Sequence, residues 1–133
     1  MDALVDTSIW SLALRRRNPS GRDVEALRQL ILQDRAKIIG PIRQEILSGI
    51  TDSSQFEQLR LQLREFTDVP LSVDHFEDAA RYFNTCRGAG IQGSHVDFLI
   101  CAVSHREKMA LYTSDGDFTR YGKYIPIKFF EPS

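Results

Sequence analysis

The stretch Ala3-Leu4-Val5-Asp6-Thr7-Ser8-Ile9-Trp10-Ser11-Leu12-Ala13-Leu14 changes character at Asp6. Three consecutive apolar residues read as a short buried strand, and residues 8–14 then carry their apolar side chains at helical spacing. A strand therefore feeds directly into a helix, with Asp6 at the strand's carboxyl end.

The same pattern recurs along the chain. After the turn signal Asn18-Pro19-Ser20-Gly21, residues 23–33 place Val24, Leu27, Leu30 and Ile31 on one helical stripe, and a second strand is predicted over 37–39. Gly40-Pro41 closes that strand, and the proline opens a short helix through Ile42, Glu45, Ile46 and Leu47. Asp52 with Gln55 predicts a capped helix carrying Phe56, Leu59, Leu63 and Phe66, stopped by Val69-Pro70. Asp74 with Glu77 predicts a further cap, for a helix ending near Gly88 or Gly90. Residues 94–107 form a helix whose middle is apolar on all sides, so it is expected to be central. A third strand over 110–113, a short helix over 118–121 and a last strand over 127–130 complete the series. Strands alternating with helices imply an α/β fold with a mainly parallel sheet covered on both faces, in one domain spanning 1–133.

Composition narrows the function. The chain has 17 basic and 18 acidic side chains, so any binding of nucleic acid must come from a local basic rim rather than a global field. Arg15-Arg16-Arg17 is the densest basic cluster, readable as a phosphate contact or as a solvated helix end. Arg43, Lys123 and Tyr124 are further candidates for touching RNA, on basic and aromatic character. No apolar run approaches the length of a membrane span, and the first residues lack the pattern of a signal peptide, so a cytoplasmic protein without membrane contact is expected. Cys86 and Cys101 belong to no metal-binding spacing and read as reduced, buried thiols. His75, His95 and His105 have no zinc-hydrolase spacing, and neither a nucleophile elbow nor a phosphate-cradling glycine loop is present.

The acids remain. Asp6 and Asp115 each follow an apolar strand closely, and ligands of an open parallel sheet gather beyond the carboxyl ends of its strands. Taken singly, either fits a turn or cap aspartate. Asp97 lies in an apolar helix, where an unpaired charge costs several kcal/mol. The Ser94 to Asp97 spacing of a capping box offers it backbone partners, and this is compatible with a ligand role. Taken alone, Glu45 reads as an exposed glutamate paired with Arg43 or another base. Together these carboxylates supply the hard oxygen donors that Mg²⁺ or Mn²⁺ prefers, and such ions serve phosphodiester hydrolysis.

The contexts Val5-Asp6-Thr7-Ser8, Gln44-Glu45-Ile46-Leu47, Val96-Asp97-Phe98-Leu99-Ile100-Cys101-Ala102 and Tyr112-Thr113-Ser114-Asp115-Gly116-Asp117-Phe118, in this order over essentially the whole chain, resemble the PIN-domain ribonucleases and, within them, the VapC-type toxins. The resemblance implies a three-layer α/β/α fold and a Mg²⁺- or Mn²⁺-dependent endoribonuclease. It implies an acidic quartet of Asp6, Glu45, Asp97 and Asp115, with Asp117 as a further ligand and Thr7, Ser8 and Thr113 in support. Such toxins are often dimers and are silenced by an antitoxin whose tail occupies the acidic groove. Relatives often carry a proline before the third acid, where this chain has Gly93-Ser94-His95. Trp10, Phe56, Leu59, Leu63 and Phe66 supply enough apolar residues for an interface of early helices, or most of them are simply core.

Two readings from other classes compete. A receiver-like phosphoacceptor also collects aspartates at strand ends, but it needs adjacent acids after the first strand, and here Asp6 is followed by Thr7-Ser8. A catalytically silent domain that binds RNA or protein is the other.

Overall fold

A computed structural model describes residues 1–16 and 18–132. Strand β1 (Ala3–Val5) lies at the centre of a parallel sheet, with β2 (Ala36–Lys37) on one side and β3 (Ala110–Tyr112) on the other. Ala3 pairs with both Ala36 and Ala110, and Val5 pairs with Tyr112. Every β1 residue is fully buried, as a strand covered on both faces must be.

Helices supply the covering layers: α1 (Thr7–Leu14), α2 (Arg22–Leu32), α3 (Gly40–Leu47), α4 (Ser53–Leu63), α5 (Val73–Gly88), α6 (His95–Arg106) and the single turn α7 (Asp117–Tyr121). This is the predicted α/β/α arrangement. Helix α6 runs against β1 and β3 with Phe98 to Ser104 buried without interruption, in keeping with its all-round apolar sequence. Trp10 is fully buried; its indole N–H donates to Val5 O at 2.9 Å, and its ring meets Phe66 edge-on.

The turns that feed β2 and β3 are built alike. Asp34 and Lys108 sit in the left-handed region at φ 56°, and the following amides close back onto the helix, Arg35 N to Leu30 O and Met109 N to Ser104 O, each at 2.8 Å. Both are Schellman ends, which swing the chain sharply from a helix into a strand.

Three expectations need correction. β2 begins one residue earlier than 37–39 and is shorter; beyond it Ile38 makes only a single parallel bridge to Asp68, in a segment the sequence marked merely as a helix stop. The strand expected over 127–130 is likewise one bridge, Leu111 with Phe129, held by Leu111 N to Lys128 O and Phe130 N to Leu111 O. Helix α5 is capped by Ser72 rather than Asp74: the Ser72 amide donates to His75 Nδ1 at 3.0 Å, so a histidine takes the place usually held by Glu or Gln. Of the two readings of the early apolar residues, the core one holds for Trp10, Leu59 and Leu63, which are buried, while Phe56 and Phe66 are half-buried.

Candidate functional site

Asp6 leaves β1 and precedes the first turn of α1, so its position follows from the abrupt strand-to-helix junction. It is only 6% exposed, and its carboxylate is held by two hydroxyls on one oxygen. Ser8 Oγ donates to Oδ2 at 2.9 Å and Thr113 Oγ1 donates to the same atom at 2.8 Å. Ser8 and Thr113 are also linked into the neighbouring loop: Ser114 N donates to Ser8 Oγ at 3.1 Å and Asp115 N to Thr113 Oγ1 at 3.0 Å. The end of β3 is thus tied to the end of β1 through Asp6. Asp115 in turn accepts from Asp117 N at 2.9 Å and so opens α7. Asp115 and Asp117 are both exposed, and Asp117 also lies 3.8 Å from Arg120.

Asp97 stands in the first turn of α6. Its amide donates to Ser94 Oγ at 3.0 Å, the cap that the spacing predicted, and its carboxylate Oδ2 accepts the Tyr121 hydroxyl at 2.7 Å. Burial raises the Asp97 pKa, and the charges of Asp6 and Asp115 push the same way against the two hydrogen bonds. Glu45, on α3, is an exposed residue, yet partial desolvation of its carboxyl raises its pKa first, and the charges of Asp6 and Asp97 add to this. Asp6 therefore lies near enough to act on both Glu45 and Asp97, and Asp115 near enough to act on Asp97, although the four come from separate parts of the chain. Asp117 acts on Tyr121 and does not figure in the shifts of Asp97 or Glu45.

Two observations test whether a hard divalent cation fits this crevice. Among the described residues none of these four acids forms an ion pair with a basic side chain, so their mutual repulsion is not relieved from within. The Thr7 hydroxyl lies near enough to Glu45 to oppose its shift but not to complete a hydrogen bond. Buried as it is, Thr7 Oγ1 is the one such polar atom among the described residues without a partner. An all-oxygen donor set with uncompensated negative charge suits Mg²⁺ or Mn²⁺. No three His, Cys, Asp or Glu side chains among the described residues gather tightly enough to hold an ion unaided, so the acids are spaced more openly than in a closed cage. Mg²⁺ retains several waters and needs only one or two carboxylates, so an open arrangement suits it.

The basic candidates divide. Arg43 does not pair with Glu45. Its guanidinium donates to Asp68 Oδ1 at 2.8 and 3.0 Å, to Leu63 O at 2.7 Å and to Phe66 O at 2.6 Å, which fastens the end of α4 and the following loop onto α3. This is a structural strut with little of the guanidinium left for a phosphate. Arg15, Arg16, Lys123 and Tyr124 are exposed, and Arg17 lies outside the described residues. Sequence reasoning missed Tyr121; the available signal was a tyrosine one helical turn beyond Asp117.

The sequence profile of the PIN domain matches residues 3–124. The chain belongs to the PIN domain family. Among solved structures it is similar to FitAcB from Neisseria gonorrhoeae, at 20% identity and a TM-score of 0.76 over 98% of this chain and 97% of that one. It is also similar to a toxin–antitoxin complex from Klebsiella pneumoniae, at 21% identity and a TM-score of 0.64 over 88% and 90%. A third is Mycobacterium tuberculosis VapC20, described as a sarcin-ricin loop cleaving toxin, at 19% identity and a TM-score of 0.65 over 96% and 99%. At these identities the likeness carries the PIN fold. No curated protein sequence matches the chain. No helix among the described residues is long and apolar enough to cross a membrane.

Proposed function

We propose that this PIN domain is the toxin of a type II toxin–antitoxin module, a single-domain endoribonuclease that hydrolyses RNA phosphodiester bonds with the help of Mg²⁺ or Mn²⁺. The observation that supports the reading is that Asp6 acts on both Glu45 and Asp97, and Asp115 on Asp97, while none of the four forms an ion pair with a basic side chain among the described residues. The printed descriptions of the similar structures, a toxin–antitoxin complex and a toxin that cleaves the sarcin-ricin loop, support it. Membership of the PIN family leaves the receiver-like reading without support.

Asp6 and Asp97 would hold the principal ion, with Asp115 and Asp117 completing the set. When bound, the ion supplies charge neutralisation at the scissile phosphate and makes water a better nucleophile. The remaining work falls to the chain itself. Ser8 and Thr113 fix the Asp6 carboxylate by holding Oδ2, so that Oδ1 is left for ligation. Glu45, with a raised pKa, is suited to accept a proton from the attacking water and to orient it. Arg15, Arg16, Lys123 and Tyr124 form the candidate RNA rim. A partner antitoxin is expected to place a basic side chain among the acids, because their repulsion is relieved as well by a guanidinium as by an ion. A homodimer in the cytoplasm completes the reading.

Cleavage of a mixed RNA pool by wild type and Asp97→Asn, each with Mg²⁺, with Mn²⁺ and with EDTA, tests it. Cutting by wild type alone and only with the ion is the expected result. Equal metal-dependent cutting by Asp97→Asn would overturn the assignment.

A further inference from the structure

Tyr121 is fully buried, yet its hydroxyl ends at the carboxylate of Asp97, 24 residues earlier in the chain, at 2.7 Å. The ring is wedged between Phe98, at 4.8 Å between centroids, and Phe118, at 5.3 Å. A phenylalanine would satisfy that packing, so the aromatic core does not explain the hydroxyl.

A second observation comes from a different element. A Cβ placed on Gly93 would lie 2.5 Å from the Tyr121 hydroxyl oxygen, 2.7 Å from its Cζ and 2.9 Å from Phe98 Cε2. The loop before α6 is therefore cut back to bare backbone where the phenol passes on its way to Asp97. The Gly93-Ser94 pair consequently has two tasks: Ser94 caps α6 at the Asp97 amide, and Gly93 leaves room for the donor to the Asp97 carboxylate.

From the hydroxyl's contact with Asp97 and the clearance at Gly93, we infer that Tyr121 is a positioning residue: it holds Asp97 Oδ2 so that Oδ1 is presented to the divalent ion, and Gly93 is the residue that lets it do so. The inference rests on the metal-site reading above. It also couples two parts of the site, because α7 begins at Asp117, next to the Asp115 loop, and ends at Tyr121. A shift of α7 thus moves the Asp115 side and the Asp97 anchor together. Partners that orient a metal ligand in this way are worth about 10- to 100-fold in metal affinity.

The test is a Mn²⁺ titration followed by the electron paramagnetic resonance signal of the free ion, on wild type, Tyr121→Phe, Gly93→Ala and a control, Tyr82→Phe, whose half-buried phenol belongs to α5. Near-UV circular dichroism verifies that each variant is folded. Tyr121→Phe and Gly93→Ala are expected to weaken Mn²⁺ binding about 10-fold or more, while Tyr82→Phe binds as wild type. In the RNA assay both should need more Mn²⁺ for half-maximal cleavage and recover the wild-type plateau when Mn²⁺ is raised, which a general structural defect would not allow. Mn²⁺ affinity within about twofold of wild type in folded Tyr121→Phe and Gly93→Ala would overturn the inference while leaving the metal site standing. Failure of wild type itself to bind Mn²⁺ would overturn the metal site and this inference with it.

Discussion

Replacing Thr113 by valine keeps the β-branched shape and removes a hydroxyl that, besides lying 3.3 Å from Ser8 Oγ, serves two further partners. It donates to Asp6 Oδ2 at 2.8 Å and accepts from Asp115 N at 3.0 Å. The Asp115 amide is exposed, so water replaces that bond at small cost. The Asp6 carboxylate is only 6% exposed, and it retains only Ser8. A hydrogen bond to a charged group is worth about 1.5–3 kcal/mol, which puts the loss at about 2 kcal/mol. With an unfolding entropy of about 2.1 cal/mol/K per residue, the 133-residue chain has about 0.28 kcal/mol/K in all, and Tm should fall by about 7 °C. Because the same hydroxyl orients a proposed metal ligand, cleavage at limiting Mn²⁺ should fall about 10- to 100-fold. Differential scanning calorimetry in EDTA measures the first effect and the RNA assay the second. A Tm within about 2 °C of wild type together with an unchanged rate would refute the idea that Thr113 fastens Asp6.

Arg43→Ala should lower Tm strongly, because it strips donors from Asp68 and from the Leu63 and Phe66 carbonyls; several charge-assisted bonds at a partly exposed site total about 3 kcal/mol. RNA affinity measured well below Tm should be unchanged, and weaker RNA binding by the folded variant would return Arg43 to the RNA rim. For pH, Glu45 and Asp97 both have raised pKa values, so cleavage should decline on acidification at a pH above the ordinary glutamate value of 4.5. The same shifts have a defined effect on stability. A carboxyl with a raised folded pKa binds its proton more tightly in the folded state, so its contribution is best below the ordinary value and is lost as pH rises through the raised one. Urea denaturation of ion-free wild type and Asp97→Asn should therefore diverge in the variant's favour as pH rises through that window, and parallel curves would contradict it. Lys123→Ala combined with Tyr124→Ala should weaken RNA binding with little change in Tm, since both side chains are exposed; undiminished affinity would remove them from the rim.

What the sequence disclosed and what it hid have separate physical causes. β1, β3 and α6 were legible because each is apolar enough to demand burial, and the short distance from strand to helix at Asp6 leaves no room for another arrangement. The Ser94 cap was legible because it is local, acting over three residues. The two edge bridges were not, because one hydrogen-bonded register imposes no period on its sequence. His75 in the role of a capping partner was missed because its ring nitrogen does work normally assigned to Glu or Gln. Arg43 and Tyr121 were beyond reach for a different reason. Each acts on residues about 20 to 25 positions away, and only the packed chain brings those pairs together.

The single bridges that flank the sheet also bear on how the protein survives at high concentration. A three-stranded parallel sheet ends in two rows of unpaired backbone groups, and such rows invite pairing with another chain. Here the Ile38 side is covered by the segment around Asp68 and the Leu111 side by the segment around Phe129. Neither is regular enough to present a new template of its own. The residues after Tyr124 thus guard the sheet against edge-to-edge pairing: shortening the chain before Ile127 would uncover the Leu111 N–H and C=O and leave an adhesive edge.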